Sequence, residues 1–525
     1  MTEPDAGSML EHMPEALLVE EGKIKASGSF QDMSLLDPAA VKHDLDGACL
    51  MPSFMDGHGH CCWNGKTQIT VNLSSCRCHQ DIIDALKKYI EINRPTPDIT
   101  VFADNYDPKL LAEHTHPDRR ILDQASDVIP IQATHVSGHV GCANSPCLKQ
   151  AGIDENTPDP EGGFIERLPG TTIPSGFLEE TAFDAVRQST RPHFKPDLTI
   201  MAEKMQSSYI RNGITTIQDG NSVDGEFTIL RGMAERKLLK VDTVSYLSMP
   251  LGGEAVMHRD IAYAGDYINH LRIGGYKLIM DGSVLSRTAF LSKPYEGETE
   301  YCGRRAMPDE EIHRYMTTAL TEGRQLLGHC IGDGTSDQLI RVYRQVLKET
   351  GISGDLRTVM IHCCTLRPDQ IKEMKSLGMY ASVYMPPYYH QGNTYRQVLG
   401  EERFKAAMPA GKLCEAGINV TLHQDTPIQA PNMLESIWIA ANRIDTEGNS
   451  GDADQCMPVY EALKANTVYT ARQYFEENRK GTLEAGKLAD LMILNKNPLE
   501  VAKEEIRNIK VLETIKEGET LYRLQ

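Results

Sequence analysis

Five short apolar runs in this chain each carry, in the run or at its end, a side chain that can bind a metal ion. The runs are 51–60 (MPSFMDGHGH), 275–281 (GYKLIMD), 325–329 (QLLGH), 357–362 (RTVMIH) and 418–425 (INVTLHQD). The side chains in question are His58, His60, Lys277, His329, His362 and Asp425. Because the runs are spread over most of the chain, only a fold that gathers successive strand ends at one place can use these groups together. A shared metal ion accounts for that arrangement.

The spacing of the runs predicts an α/β fold, a (β/α)8 barrel of the TIM type. Three further apolar runs, 213–219, 240–249 and 379–385, bring the candidate strands to eight. The runs lack apolar–polar alternation, as expected of parallel strands buried on both faces. Segments with helix start and stop signals lie between them, and one such helix is predicted to begin at Ser336 or Asp337. In this fold the active site lies at the carboxyl ends of the strands, where the candidate ligands fall.

Most candidate ligands have a simpler interpretation when each is taken alone. His58 and His60 could be two unrelated loop histidines. His329 and His362 could each be a core histidine that is satisfied by hydrogen bonds. Asp425 could cap a helix. The metal hypothesis is favoured because all of these candidate ligands lie at apolar runs that recur as expected for the strands of one barrel.

Lys277 lies inside an apolar run, where burial disfavours its charged form. Two interpretations remain open. The lysine could pair with an acid such as Asp281, or its neutral amine could react with carbon dioxide to give a carbamate. The carbamate (carboxylated lysine) is an anionic ligand that could bridge two metal ions.

These segments resemble the amidohydrolase superfamily, and in particular its YtcJ-like branch, which includes N-substituted formamide deformylases. The matching motifs are MPSFMDGHGH, KLIMDGSVLSRTAFLSKPY, HCIGDGTSD, HQDTP, GHVGCANS, PDPEGGFIERLPG and KGTLEAGKLADLMIL, together with His362. Ser53 and Gln424 stand where the branch usually has Gly and Ser. Cysteines are unusually frequent near the site, at positions 61, 62, 330, 363 and 364.

The ligand set and the resemblance imply a metal-dependent hydrolase that cleaves a carbon–nitrogen bond other than a peptide bond. The expected substrate is a small amide, an N-acyl or N-formyl amine. A divalent ion, zinc by ligand type, lowers the pKa of its bound water from about 15.7 to about 7, which supplies hydroxide. Asp425 would take a proton from this water and pass it to the leaving amine. One ion would use His58, His60 and Asp425, and a second ion would use His329 and His362, with carbamylated Lys277 as the bridge.

Further residues are assigned supporting roles. Ligand histidines need acceptors that orient their rings, and the candidates are Asp56, Asp281 and Asp333. Arg287 could bind a substrate oxyanion or carboxylate, or instead pair with Asp281 or Asp333. The candidates for substrate contact are His139, Arg287 and Tyr384, of which His139 and Tyr384 could equally be packing residues.

Two other functions compete with amide hydrolysis. Deaminases of cyclic amidines on this scaffold usually carry His-x-x-Glu at the fifth strand, whereas residues 329–332 here read His-Cys-Ile-Gly. Non-catalytic scaffold relatives commonly lose metal ligands, whereas this chain keeps all of them. Both alternatives are therefore ranked below an amide hydrolase.

Composition excludes other classes of protein. The net charge of −19, from 54 basic and 73 acidic residues, argues against nucleic-acid binding. No run approaches the roughly 18 apolar residues of a membrane span, and the N-terminus lacks the features of a signal peptide. Thirteen irregularly spaced cysteines indicate reduced thiols and a cytoplasmic protein. The sequence leaves open whether the chain forms homo-oligomers.

The chain is predicted to have three parts. Residues 1–51 and 471–525 would form one small β-sandwich from the two chain ends. Residues 52–470 would form the barrel, with an insertion at about 61–198 that separates the first and second strands by more than a helix needs. Residues 129–140 of the insertion read as strands. An insertion next to the first ligands could cover the metal site and shape a substrate pocket.

Overall fold

The computed structural model describes residues 14–160, 162–190 and 193–525. The start of the predicted sandwich, residues 1–13, therefore lies outside the described residues, as does Glu161 of the PDPEGGF motif. The chain forms two compact units. The larger unit comprises the chain up to Cys62 together with Met205–Gln525, and the smaller unit comprises Trp63–Lys204.

An eight-stranded parallel sheet forms the centre of the larger unit. Its strands are Phe54–Met55, Ile214–Ser222, Asp242–Ser248, Leu271–Ile279, Gln325–Cys330, Val359–His362, Tyr380–Tyr384 and Val420–His423. They lie in the sheet in chain order, each parallel to the next. The sheet is curled, because a Cβ added to Gly57, just after the first strand, would lie 2.6 Å from Thr421 Oγ1 of the eighth. The eight predicted strands are confirmed.

The first predicted run differs from the structure in one respect. Cys49–Pro52 pairs with Leu491–Leu494 in another sheet, and only Phe54–Met55 joins the parallel sheet. The backbone changes partner at Ser53, whose N–H donates to Asp490 O, while the N–H of Phe54 donates to Gly213 O. The apolar run therefore serves two sheets, which its composition alone did not reveal.

Helices connect and flank the strands of the larger unit. The α-helices are Phe30–Leu36, Asp224–Glu235, Gly253–Arg259, Asp309–Thr321, Asp333–Thr350, Pro368–Ser376, Pro386–His390, Gly392–Leu399, Glu401–Ala406, Ala410–Glu415, Met433–Asn442, Val459–Ala465 and Val468–Gln473. The 3-10 helices are Met249–Leu251, Ile261–Ala264, Ala453–Gln455 and Lys503–Asn508. Helices Cys61–Ile69 and Leu198–Ile210 contain the two unit boundaries.

The predicted start of one helix was wrong. The helix begins at Asp333, not at Ser336 or Asp337. The loop before it is held by Asp281, which accepts hydrogen bonds from the N–H groups of Ile331 (3.1 Å) and Gly332 (2.8 Å). Because this carboxylate comes from the segment just after the fourth strand, local capping signals could not show it.

The chain ends form two further sheets. A four-stranded antiparallel sheet combines Cys49–Pro52, Leu491–Leu494, Val511–Lys516 and Glu519–Arg523. The hairpin of Ala16–Glu20 and Lys23–Gly28 is a separate two-stranded sheet. Ile24, Ala489 and Leu491 pack in one buried apolar cluster.

A buried ion network ties the C-terminal segments to the third strand. Asp242 Oδ2, at the start of that strand, lies 2.6 Å from Lys480 Nζ and 2.8 Å from Lys516 Nζ. Lys516 also pairs with Asp490 at 2.9 Å. Burial acts to raise the pKa of Asp242, and the two ammonium groups hold it well below its usual range. Removing one partner of such a network leaves an uncompensated buried charge.

The smaller unit contains a six-stranded mixed sheet. In spatial order its strands are Val71–Asn72, Val101–Tyr106, Ile131–His135, Val140–Ala143, Pro174–Glu180 and Gly163–Arg167. Its helices are His79–Asn93, Arg119–Leu122, Ser145–Gln150 and Thr181–Thr190. Of the strands predicted at residues 129–140, Ile131–His135 lies inside that stretch, and Val140–Ala143 begins at its last residue. Among the described residues of the whole chain, no helix is long and apolar enough to cross a membrane.

Candidate metal centre

His58, His60 and Asp425 meet where the first and eighth strands end. Nε2 of His58 lies 3.5 Å, and Nε2 of His60 3.3 Å, from Asp425 Oδ1. One ligand atom from each residue lies within 4.8 Å of the other two, so the three residues could hold a metal ion. Asp425 Oδ1 is buried and makes no hydrogen bond to any described residue. A buried carboxylate oxygen that faces two imidazole nitrogens is stabilised by a cation between them, so this donor set fits a divalent metal.

Lys277 adjoins this group from the fourth strand. Its side chain is fully buried, and its Nζ lies 3.0 Å from His58 Nε2. Burial lowers the pKa of Lys277 to about 7, against the opposing effects of Asp425 and Cys330. The described ion pairs contain none between Lys277 and Asp281, whose oxygens contact His329 and Thr335, and the acid that acts on the pKa of Lys277 is Asp425.

His329 and His362 complete the set from the fifth and sixth strands. Their ring centroids are 4.5 Å apart, and the His362 ring lies 5.4 Å from the His58 ring. Burial, with the neighbouring His329 and His423 rings, lowers the pKa of His362 well below its usual value, so it is neutral. The structure thus brings all six predicted ligands to the carboxyl ends of the strands.

The backbone around the ligands adopts uncommon conformations. His362 and Asp425 both have left-handed φ angles, 78° and 57°. Such residues cost about 1–3 kcal/mol each and cluster at functional sites. Gly220, near the end of the second strand, packs against the His58 ring, and a Cβ there would lie 2.2 Å from His58 Cε1. Only glycine permits this approach.

The predicted orienting carboxylates have different surroundings. Asp281 accepts a hydrogen bond from His329 Nδ1 at 3.0 Å. Asp333 instead accepts from the backbone N–H of Ser292 and from Arg367 Nη1, both at 2.9 Å. Asp333 contacts no imidazole among the described hydrogen bonds, because it opens a helix whose N-terminal turn faces the Ser292 loop.

Asp56 lies beside the metal group without touching an imidazole nitrogen. Its Oδ1 accepts from the backbone N–H of His58 at 3.2 Å, and its Oδ2 is buried without a hydrogen bond from the residues that the structure describes. Burial raises the pKa of Asp56 to about 8. Asp56 therefore shapes the backbone of the His-x-His segment and not the ring orientation.

Two further polar residues, Gln218 and His423, touch the predicted ligands and were missed from sequence. Gln218 Oε1 lies 2.6 Å from His58 Nδ1. His423 Nε2 lies 3.2 Å from His362 Nδ1, and its own Nδ1 lies 2.9 Å from Ser382 Oγ. The sequence did contain a signal for both residues, because each lies inside an apolar run, where a buried polar side chain requires a hydrogen-bond partner.

Tyr384, one of the three candidates for substrate contact, ends the seventh strand beside the ligands. Its ring stacks on His423 with a centroid separation of 5.4 Å and an interplanar angle of 8°. Its hydroxyl is buried and has no hydrogen-bond partner in the described part of the chain, and burial, with Asp425 nearby, raises its pKa.

The other two candidates make ion pairs. Arg287 pairs with Glu298 at 3.0 Å, so the predicted alternative pairing with Asp281 or Asp333 was wrong. His139 belongs to the smaller unit, is 70% exposed and lies 3.2 Å from a Glu180 carboxylate oxygen. A substrate contact by either residue stays a prediction.

Comparison with known proteins identifies the family. The family model described as "Amidohydrolase family" matches residues 43–522. The chain belongs to the amidohydrolase family. It is 24% identical to YtcJ of Bacillus subtilis (strain 168) over 529 residues, which cover 97% of this chain and 96% of that protein. It is 25% identical to the N-substituted formamide deformylase of Arthrobacter pascens over 525 residues, which cover 97% of this chain and 95% of that protein.

A solved structure supports the fold. An uncharacterized metal-dependent hydrolase from Pyrococcus horikoshii OT3 superposes with a TM-score of 0.77 at 23% identity, covering 93% of this chain and 94% of that one. The curled parallel sheet is thus the TIM-type sheet of amidohydrolases. As a member of this family, the chain is a hydrolytic enzyme that acts on carbon–nitrogen bonds.

Proposed function

We propose that this enzyme is a metal-dependent amide hydrolase whose substrate is an N-acyl or N-formyl amine. One observation carries the proposal: the buried oxygen of Asp425, without a hydrogen bond, faces Nε2 of His58 and His60. The similarity to the N-substituted formamide deformylase over almost the full chain supports the choice of an amide over a cyclic amidine.

The ligands would be those gathered at the strand ends. His58, His60 and Asp425 would hold one ion, and zinc suits imidazole and carboxylate donors. When bound, a divalent metal supplies a Lewis acid for the substrate carbonyl and lowers the pKa of water to about 7. His329 and His362 would hold a second ion if Lys277 becomes a carbamate, which forms when its neutral amine adds to carbon dioxide and releases a proton.

Asp425 would move the proton. Burial acts to raise its pKa, but the facing His60 ring, with His423 and Lys277, holds that pKa below its usual range. The carboxylate is therefore ionised at neutral pH and can accept a proton from the attacking water. It then returns this proton to the amide nitrogen as the carbon–nitrogen bond breaks. The products are a carboxylic acid, which is formate for an N-formyl substrate, and a free amine.

Tyr384 would donate a hydrogen bond to the substrate carbonyl, because its buried hydroxyl has no other acceptor. We expect Tyr384→Phe to lower kcat by about 10²–10³-fold, the usual effect of removing one donor to a developing oxyanion, without loss of bound metal. The measurement is steady-state kinetics together with metal content. Tyr388→Phe is the matched control, since this buried tyrosine packs against Phe404 and Arg443. A Tyr384→Phe enzyme as active as the Tyr388→Phe control would contradict the role.

The finer domain organisation is also part of the proposal. The parallel sheet would close into a full barrel within residues 52–470. Residues 63–204 lie between the first and second strands in the chain and would be an insertion. The hairpin at 16–28 and the four-stranded sheet would be the two layers of a β-sandwich, with Ile24, Ala489 and Leu491 between them. The thirteen cysteines are all free thiols, which supports a cytoplasmic location.

Product analysis tests the proposed reaction. The zinc-loaded enzyme would be incubated with a panel of N-formyl amines, N-acyl amines and cyclic amidines, and formate, carboxylic acids, amines and ammonia would be quantified. We expect equal amounts of acid and amine from at least one amide. Release of ammonia from an amidine, with no turnover of amides, would favour a deaminase instead, and no turnover of any compound would favour a binding scaffold.

A further inference from the structure

Gln218 of the second strand contacts His58 on the side of the ring that faces away from Lys277 and Asp425. We propose that Gln218 is a positioning residue: it fixes His58 in the Nδ1–H tautomer, so that the Nε2 lone pair faces the metal position. This inference rests on the proposed metal centre.

The orientation of the Gln218 amide follows from its partners. Its Nε2 lies 3.0 Å from the carbonyl oxygen of Gly57 and 2.9 Å from the Tyr474 hydroxyl. A carbonyl oxygen can only accept, so the NH₂ group must face Gly57. Tyr474 donates its own proton to the carbonyl oxygen of Asp56, so it accepts from Gln218. Both N–H groups of the amide are thus used, and Oε1 must be the atom that faces His58.

The tautomer of His58 follows in turn. Gln218 Oε1 carries no proton and lies 2.6 Å from His58 Nδ1, so Nδ1 must carry the hydrogen. A metal ligand needs a lone pair on its other nitrogen, so the neutral ring with its hydrogen on Nδ1 is the state that can bind an ion. Nε2 therefore holds the lone pair, 3.0 Å from Lys277 Nζ. A metal-binding histidine needs this state, with its second nitrogen donating to a fixed acceptor.

A neighbouring residue, Gln473, allows positioning of the His58 ring to be distinguished from anchoring of the Gly57 peptide group. Gln473 Nε2 donates to the same Gly57 carbonyl at 2.7 Å, and its Oε1 accepts from the Thr421 hydroxyl at 2.9 Å. Gln218 and Gln473 are both fully buried. They anchor the same peptide group, but of the two only Gln218 makes a described hydrogen bond to His58. Gln473→Met is therefore a matched control for Gln218→Met.

The test is the zinc affinity of metal-free protein, measured by competition with a chelator. We expect Gln218→Met to weaken zinc binding by about 10–100-fold, as for other partners of ligand histidines, and Gln473→Met to change it by less than about threefold. Gln218→Glu should stay within about threefold of wild type, because burial keeps the new carboxyl group protonated. Its carbonyl oxygen can then accept from Nδ1 while its O–H donates to the Gly57 carbonyl. Melting curves of the metal-free variants show whether each is folded.

The outcomes separate this inference from the metal centre itself. If the wild-type protein binds no zinc, the proposed metal centre fails and this inference falls with it. If the wild-type protein binds zinc, an unchanged affinity in Gln218→Met, or an equal loss in Gln473→Met, overturns the positioning role alone. If Gln218→Met does not fold, the comparison of Gln218→Glu with Gln473→Met decides, and a tenfold weaker affinity in Gln218→Glu overturns the inference.

Discussion

Asp425→Asn is expected to reduce kcat by at least about 10²–10⁴-fold, the usual effect of losing a general base. The amide has nearly the same size as the carboxylate but cannot accept the proton of the attacking water, and it is a weaker metal ligand. Stability should change little, because the residue lies beyond the end of the eighth strand and the amide fills nearly the same space. The measurements are kcat on the best amide substrate, metal content and the melting temperature.

Asp337→Asn is a suitable control for this substitution. Asp337 is half exposed and pairs with Arg367, away from the six gathered ligands in the described contacts. It should keep wild-type kcat, which shows that an Asp-to-Asn change is tolerated in general. An Asp425→Asn enzyme with kcat within a few-fold of wild type would remove Asp425 from the mechanism.

Lys277→Ala is expected to reduce the metal content to one ion or fewer per chain and to abolish most activity. The lysine lies fully buried on the fourth strand with its Nζ 3.0 Å from His58 Nε2. As a carbamate it would supply the negative charge that two neighbouring divalent ions require, and alanine cannot. Metal content after reconstitution with excess zinc is the measurement.

Chemical rescue provides the control for Lys277→Ala. A small carboxylic acid can occupy the space left by the side chain and replace the carbamate oxygens, so its addition should restore a second ion and part of the activity. Reconstitution of the wild-type protein in buffer free of carbon dioxide should also lower its metal content. Full metal content and full activity in Lys277→Ala would instead mean a mononuclear centre in which Lys277 takes no part.

The fold and the gathered ligands could be read from the sequence because their signals are local. Each buried strand is a short apolar run, and each candidate ligand lies in such a run or just after it. The order of parallel strands then places consecutive ends side by side. Lys277 was noticed for the same reason, since a lysine in an apolar run has to have a partner.

Features that depend on partners distant in sequence could not be predicted. The capping of the helix at Asp333 relies on Asp281, about fifty positions earlier in the chain. Gln218 gains its role only because the His-x-His segment packs against the second strand. The division of the first apolar run between two sheets depends on Leu491–Leu494, which is close to the other end of the chain.

The central claim is that one metal centre gathers these strand ends. The most direct measurement is anomalous diffraction at the zinc edge from crystals of the zinc-loaded protein. The account predicts a peak at about 2.0–2.2 Å from the nitrogens of His58 and His60 and an oxygen of Asp425, with any second peak beside His329 and His362. A zinc peak elsewhere, or two of these four imidazoles turned away from it, would contradict the account.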